Sequence, residues 1–310
     1  MTTPSPFALQ KFLAHAIAAG CTHAVVEVSS HALQQYRVWG IPFAIVLITN
    51  LTPDHLEYHA TSNEYIHIHE MLPSKATRTI LINAQDGHSE FFKQDSRTHL
   101  FSQHDPETQD ISSLPQWWTR LQLPNLTAAR AAARALGRRE KDIAQSLRSL
   151  TAPPGRFEDI DEGQNFRVIV DYAHSPESLS FFFEAIRPLI ANNLIVVFGA
   201  CGDRDKTTRA PMGSILEHYA DTLILTTDDP YSEDPKDIAD QVQAGITKKT
   251  KMLLTVLDRK EAIQKGLEMA QKNDCVCILG KGAEQFQVFK NNKIPWDDRT
   301  IARSSIRART

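Results

Sequence analysis

Short apolar runs recur along the second half of the chain, and each ends in small or charged residues. The runs at 168–170, 194–198, 222–225, 253–256 and 275–279 are too short for helices and rich in β-branched residues, so they read as buried strands. Between them, stretches near 177–189, 208–219, 235–246 and 259–271 carry apolar residues at helical spacing. Strands alternating with helices predict a doubly wound parallel sheet. The run at 286–290, followed by Asn291-Asn292, predicts a closing hairpin. The first half alternates less cleanly. It offers a helix over 7–19, strands at 24–28, 43–48 and 79–82, a polar, weakly patterned stretch over 84–120, and helices over 125–136 and 140–150. Ala152-Pro153-Pro154-Gly155 breaks the last of these and marks a domain boundary. The fold class is therefore α/β in two parts, 1–151 and 152–310.

A length of 310 residues suits two domains. The net charge of −3 argues against a general nucleic-acid or anionic-membrane surface. No apolar run approaches the roughly 20 residues of a membrane span. The N-terminal MTTPSPFALQKF does not read as a secretory signal. Cys21, Cys201, Cys275 and Cys277 are sparse and lie in or beside expected strands, which fits reduced thiols and a cytoplasmic location.

Ligands bind beyond the carboxyl ends of strands in open parallel sheets, so the strand ends carry the candidate chemistry. The run 194–198 leads into Gly199-Ala200-Cys201-Gly202, then Asp203, Arg204, Asp205, Lys206 and Arg209. Thr226 to Tyr231, Asp171 to His174 and Gly280 to Glu284 end three more strands. An aspartate such as Asp171 can bond ribose hydroxyls, or it can cap the helix that Pro176 begins. Glu27-Val28-Ser29-Ser30-His31 offers a carboxylate for Mg²⁺ and hydroxyls for a substrate, or a capped turn. His55, His59, His67 and His69 put four histidines in fifteen residues. They read as a zinc site or as a solvated segment, and no HExxH pattern is present.

Taken together and in order, these motifs resemble the Mur ligases. The matching stretches are TTPSP, EVSSHALQQYRV, TNLTPDHLEYH, PGRFE, VDYAHSP, FGACGDRDKTTRAPMG, TDDPYSEDP, LGKGAEQ and DDRTIAR, from Thr2 to about Ala302. The resemblance implies part of a P-loop-type ATPase central domain followed by a Rossmann-like C-terminal domain. It implies a ligase of peptidoglycan synthesis using ATP and Mg²⁺. ATP would phosphorylate a carboxylate of UDP-N-acetylmuramoyl-L-alanyl-D-glutamate, and a diamino acid would attack the acyl phosphate. By position, Thr2, Thr3, Ser29, Gln35 and Arg37 would meet the UDP-muramoyl dipeptide. Glu27 and His55 would hold the metal, with His69 completing the catalytic set. Asn125, Arg156, Asp171 and His174 would handle the nucleotide. Arg204, Asp228, Asp229, Pro230, Tyr231, Gly280 and Glu284 would form the amino-acid pocket.

Three departures from the family pattern stand out. The family's glycine-rich loop ending in GKT or GKS is not found, and Gly280-Lys281-Gly282 fits no P-loop. The chain alone is therefore expected to be inactive, with a second polypeptide as the source of that loop. His69 stands where the family has a carbamylated lysine. Tyr231 follows Asp228-Asp229-Pro230, where members that add meso-diaminopimelate carry an arginine. Three other readings share these residues: a catalytically dead binding module, a metal hydrolase built on the histidine cluster, and a folylpolyglutamate synthase-like ligase.

Overall fold

The computed structural model describes residues 3–51, 61–104, 116–247 and 252–309. Two units divide the chain, residues 1–113 with 122–149 and residues 114–121 with 150–310. In the first, Pro6 opens α1 (Pro6–Ala18), and the Ser29 hydroxyl caps α2 (Ser30–Gln34) by accepting from Ala32 N. Three parallel strands follow, β1 (Phe43–Ile48), β2 (Ala76–Asn83) and β3 (Thr98–Phe101), in the order β1-β2-β3. Helices α3 (Ser62–Glu70), α4 (Gln116–Ala135) from residue 122 onward, and α5 (Glu140–Arg148) complete the unit. Leu33, Val46, Ile48, Ile68, Ile80 and Ile82 form its main core, and Leu81, Phe101 and Ala128 a smaller one.

Three features of this unit differ from the sequence reading. Residues 24–28 belong to no strand. Val26 and Val28 pack partly against the core while Val25 is fully exposed. An apolar run supplies one face of a strand, but only a neighbouring backbone makes it one. β3 lies inside the stretch that reads as unpatterned, because its 4 residues are too few to show alternation. α4 runs through Pro124, where the sequence suggests a start. A helix can absorb the one lost hydrogen bond, and beside the break the Thr127 hydroxyl donates to Leu123 O.

The second unit holds a six-stranded sheet ordered β4-β5-β9-β6-β7-β8. Its members are β4 (Glu158–Asp159), β5 (Arg167–Asp171), β6 (Leu194–Phe198), β7 (Thr222–Leu225), β8 (Met252–Thr255) and β9 (Cys275–Leu279). Every pairing is parallel except that of β4, a two-residue edge strand too short to be legible in the sequence. Helices α6 (Pro176–Ile186), α7 (Arg209–Tyr219), α8 (Pro235–Gln243), α9 (Arg259–Met269) and α10 (Asp298–Arg309) accompany it. Each face carries its own core. Leu179, Phe183, Leu216 and Val242 pack with Val196, Phe198, Cys275 and Cys277 on one side. Ile263, Leu267 and Ile306 pack with Val168, Val197, Val276 and Ile278 on the other. Cys275 and Cys277 thus share one buried face as small apolar residues. The hairpin is β10 (Phe286–Phe289) and β11 (Asn292–Pro295). Its turn centres on Lys290, at φ 50°, and Asn291, one residue earlier than the asparagine pair suggests. No helix among the described residues is long and apolar enough to cross a membrane.

Candidate functional site

Four turns leave the carboxyl ends of β5, β6, β7 and β9 and converge on a buried lysine. Lys281 Nζ donates to Asp228 Oδ1 at 3.2 Å, Asp229 Oδ1 at 2.8 Å and Glu284 Oε2 at 2.8 Å. Those carboxylate oxygens lie within 4.8 Å of one another, the spacing of a cation site, and the cation there is the lysine itself. Burial alone would lower the Lys281 pKa, but the three carboxylates outweigh it and hold the ammonium charged. Burial pushes the Asp228 carboxyl up, against the pull of Lys281 and Arg259. Three carboxylates face that one ammonium, and Asp228 Oδ2 is buried with no hydrogen-bond partner among the described residues. Gly280 sits at φ +113°, and a Cβ there would lie 2.6 Å from Asp228 Oδ2. Only glycine brings that turn so close to the carboxylate.

The hairpin and the turn after β6 frame this cluster. Gln287 Nε2 donates to Asp228 O at 2.8 Å, and Val288 N donates to Asp229 Oδ1 at 2.9 Å. Tyr231, at φ 48°, donates its N–H to Val288 O. Burial and the Asp229 charge push its phenol up. Cys201 lies close enough for burial and the Asp228 charge to keep its thiol protonated. Gly202 abuts Pro230, where a Cβ would lie 2.0 Å from Pro230 O. Arg209 is buried and ties the segment together. It donates to both Glu233 oxygens at 2.9 and 2.8 Å, to Gln241 Oε1 at 2.8 Å and to Cys201 O at 3.0 Å. That guanidinium pulls the Glu233 carboxyl down to about 2. Arg204 lies exposed on the same turn.

The turns before and after β5 reach the cluster from the other side. Asp171 accepts from Phe157 N at 2.7 Å and Ala173 N at 2.8 Å, so its carboxylate clasps PGRFE to DYAHSP. Burial raises its pKa against those two bonds. The Arg156 guanidinium lies 4.2 Å from the centroid of the Tyr172 ring, and Tyr172 OH donates to Glu284 Oε1 at 3.4 Å. Burial, then the Glu284 charge, pushes the Tyr172 phenol up to about 12. His174 is exposed, with Nδ1 2.7 Å from Tyr172 O. Arg156, Asp171, His174, Arg204, Asp228, Asp229, Pro230, Tyr231, Gly280 and Glu284 thus all lie on turns at one edge of one sheet.

A second group forms in the first unit. The Thr3 hydroxyl donates to Glu27 O at 2.8 Å and accepts from Ser29 N at 3.2 Å. Arg37 donates to Thr3 O at 2.8 Å and to Gln35 Oε1 at 3.0 Å. Thr3, Glu27, Ser29, Gln35 and Arg37 therefore adjoin, with the Glu27 side chain exposed. His69 Nδ1 lies 3.0 Å from Tyr65 O. A carbonyl can only accept, so Nδ1 is the donor in this contact. His67 pairs with Glu70 at 3.0 Å. Asn125 is exposed on α4 and donates to Gln122 Oε1. Thr2, His55 and His59 lie outside the described residues.

A model of the Mur ligase middle domain matches residues 1–117, and one of the Mur ligase glutamate ligase domain matches residues 155–282. The UDP-N-acetylmuramoyl-L-alanyl-D-glutamate–2,6-diaminopimelate ligase of Geobacillus kaustophilus is 36% identical over 339 residues, covering 99% of this chain and 69% of its own. The chain belongs to the Mur ligase family. The ligase of the same name from Trichormus variabilis is 37% identical, over 99% of this chain and 68% of its own. A solved structure of a ligase with that name superposes with a TM-score of 0.61 at 28% identity, over 99% of this chain and 69% of that one. MurF ligase from Thermotoga maritima, solved in complex with ADP, shares the fold at 16% identity and a TM-score of 0.60, over 90% and 64% of the two chains. The chain thus spans about two thirds of the length of its relatives.

Sequence reasoning left several participants unassigned. Lys281 enters the sequence reading only through a Gly-Lys pair that fits no P-loop, although its spacing from Glu284, three residues on, suits the ion pair it makes. Tyr172 lies within a quoted motif but had no role. Gln287 carries no local signal, because only the hairpin's return brings it under Asp228.

Proposed function

We propose that this chain supplies the amino-acid and adenosine-binding parts of an ATP-dependent ligase of peptidoglycan synthesis, acting in the cytoplasm. The ligase would join a diamino acid to UDP-N-acetylmuramoyl-L-alanyl-D-glutamate. The observation that carries this reading is the cluster around Lys281, with its surplus of carboxylate and the orphaned Asp228 oxygen. Such a cluster favours an ammonium group, and the relatives' names specify 2,6-diaminopimelate, a diamino acid. Asp228, Asp229 and Glu284 would receive that ammonium, and Arg204 would meet the carboxylate at the other end. With Tyr231 after Pro230, a second carboxylate would meet a phenol where the family pattern for meso-diaminopimelate has a guanidinium. Lysine, or another diamino acid with one carboxylate, is therefore the better fit.

Arg156, Asp171, His174 and Asn125 would position the nucleotide. Thr2, Thr3, Ser29, Gln35 and Arg37 would hold the UDP-muramoyl dipeptide. Glu27 and His55 would hold Mg²⁺, which when bound offsets phosphate charge, and His69 would complete the catalytic set. Phosphoryl transfer depends on a cradle for the β- and γ-phosphates, and no GKT or GKS sequence occurs in these 310 residues. That cradle would lie outside these 310 residues. The test is phosphate release with ATP, Mg²⁺, the UDP-muramoyl dipeptide and lysine. The chain alone should show none. Adding the N-terminal portion of a relative should produce substrate-dependent release. A mixture that binds lysine yet releases no phosphate would favour a catalytically dead binding module. Turnover of roughly 1 per second or more by the chain alone would refute the need for the loop.

A further inference from the structure

Arg259 opens α9, is buried, and lies beneath the Lys281 cluster. Its Nε and Nη2 donate to the two oxygens of Asp298, the first residue of α10, at 2.8 and 2.7 Å. The rest of the fork reaches two backbone carbonyls. Nη2 donates to Leu279 O at 2.9 Å and Nη1 to Thr227 O at 3.4 Å. Leu279 precedes Gly280 and Thr227 precedes Asp228. These two turns leave strands β9 and β7, which do not pair with each other, because β6 lies between them. Beyond β6, which turns away at Gly199, no ladder fixes the distance between the Asp228 and Gly280 turns. A Cβ on Gly280 would lie 2.6 Å from Asp228 Oδ2, and Lys281 Nζ reaches Asp228 Oδ1 at 3.2 Å, so the two turns are in close contact.

We propose that Arg259, without touching substrate, is a positioning residue of the amino-acid pocket that holds the turns after β7 and β9 at their working separation. This rests on the reading of the Lys281 cluster as that pocket. The task suits arginine rather than lysine, since a rigid planar fork can serve a carboxylate and two carbonyls together. Its charge also bears on Asp228, which is faced by Lys281, Arg259, Asp229, Glu284 and Cys201. Arg259 and Lys281 are the cations that favour its ionised form.

Two variants of the full chain separate geometry from charge. Arg259→Lys keeps the charge and loses the fork. Arg259→Met with Asp298→Asn removes both charges, leaving no unpaired buried ion, and keeps an acceptor for Trp296 Nε1, which now donates to Asp298 Oδ1 at 2.7 Å. In both, amide exchange at 227–229, 231 and 280–284 should quicken about tenfold relative to β6 and β9. Lysine should bind about tenfold more weakly. Carboxyl-detected NMR, with Asp228→Asn to assign the signal, should find the Asp228 midpoint near its native value in Arg259→Lys. In the double variant, which removes a cation that favours the ionised form, it should rise. A merely structural arginine would loosen strands and turns alike and leave that contrast absent. Native-like exchange in both turns, or an unmoved midpoint in the double variant, would overturn the proposal. If the native chain binds neither lysine nor meso-diaminopimelate, the pocket reading fails, while exchange and titration still judge the anchoring.

Discussion

Strand β9 and the segment 24–28 are both short apolar runs followed by motif residues, yet they end differently. All five residues of β9 are buried, with β5 on one side and β6 on the other. Residues 24–28 have no ladder, and Val25 is wholly exposed. Composition is similar; neighbours differ. In the second unit, two paired neighbours and a core on each face fix the register, so the turns leaving the strands are fixed too. In the first, the motif residues after 28 are held by a hydroxyl bridge through Thr3 and by Arg37. Strand pairing in one unit and side-chain hydrogen bonds in the other predict different sensitivities.

The largest effect should come from the centre of the second unit. Replacing Lys281 with methionine would leave Asp228 and Asp229 buried without their cation. The unit should lose about 3–5 kcal/mol, measured by urea unfolding of the full chain. A loss below about 1 kcal/mol would mean that the carboxylates do not depend on that ammonium.

Next comes acid. The folded-state pKa of Glu233 is about 2, below its ordinary 4.5. Its stabilisation is therefore complete above about pH 4.5 and fades as the pH falls toward 2. A shift of that size corresponds to about 3 kcal/mol. Comparing native protein with Glu233→Gln across this window should show the difference shrinking with acid. Parallel stability curves would break the assignment to this group.

The smallest effect should be at Val25. Replacement by serine should change stability by less than about 0.5 kcal/mol. Alanine in place of Ile278 on β9 should cost about 2–5 kcal/mol. Equal costs at the two sites would erase the contrast between them.

The same contrast governs what the sequence could reveal. β6, β7 and β9 were legible because strands buried on both faces must be apolar throughout, and their strand-end clusters marked the site edge. Pro176 was legible as the start of α6, but Asp171 is not its cap: the N-cap is Ser175, which accepts from Ser178 N, while Asp171 accepts from Phe157 N and Ala173 N. Residues 24–28 misled because periodicity reports a face and is silent on a partner. Arg259 and Asp298 stayed hidden because the pair joins positions 39 residues apart. Gln287 was missed for the same reason, since it meets Asp228 only through the fold. Asp171 was legible as a site-edge carboxylate, while its clasp between two backbone amides needed the turn at Phe157, φ 51°.

Titration calorimetry of the native chain with L-lysine and with meso-diaminopimelate tests the pocket most directly, with Asp228→Asn as the control. Lysine should bind at least about tenfold more tightly than meso-diaminopimelate, a difference of about 1.4 kcal/mol, and Asp228→Asn should weaken lysine by a similar factor. Tighter binding of meso-diaminopimelate, or lysine binding indifferent to Asp228→Asn, would contradict the account.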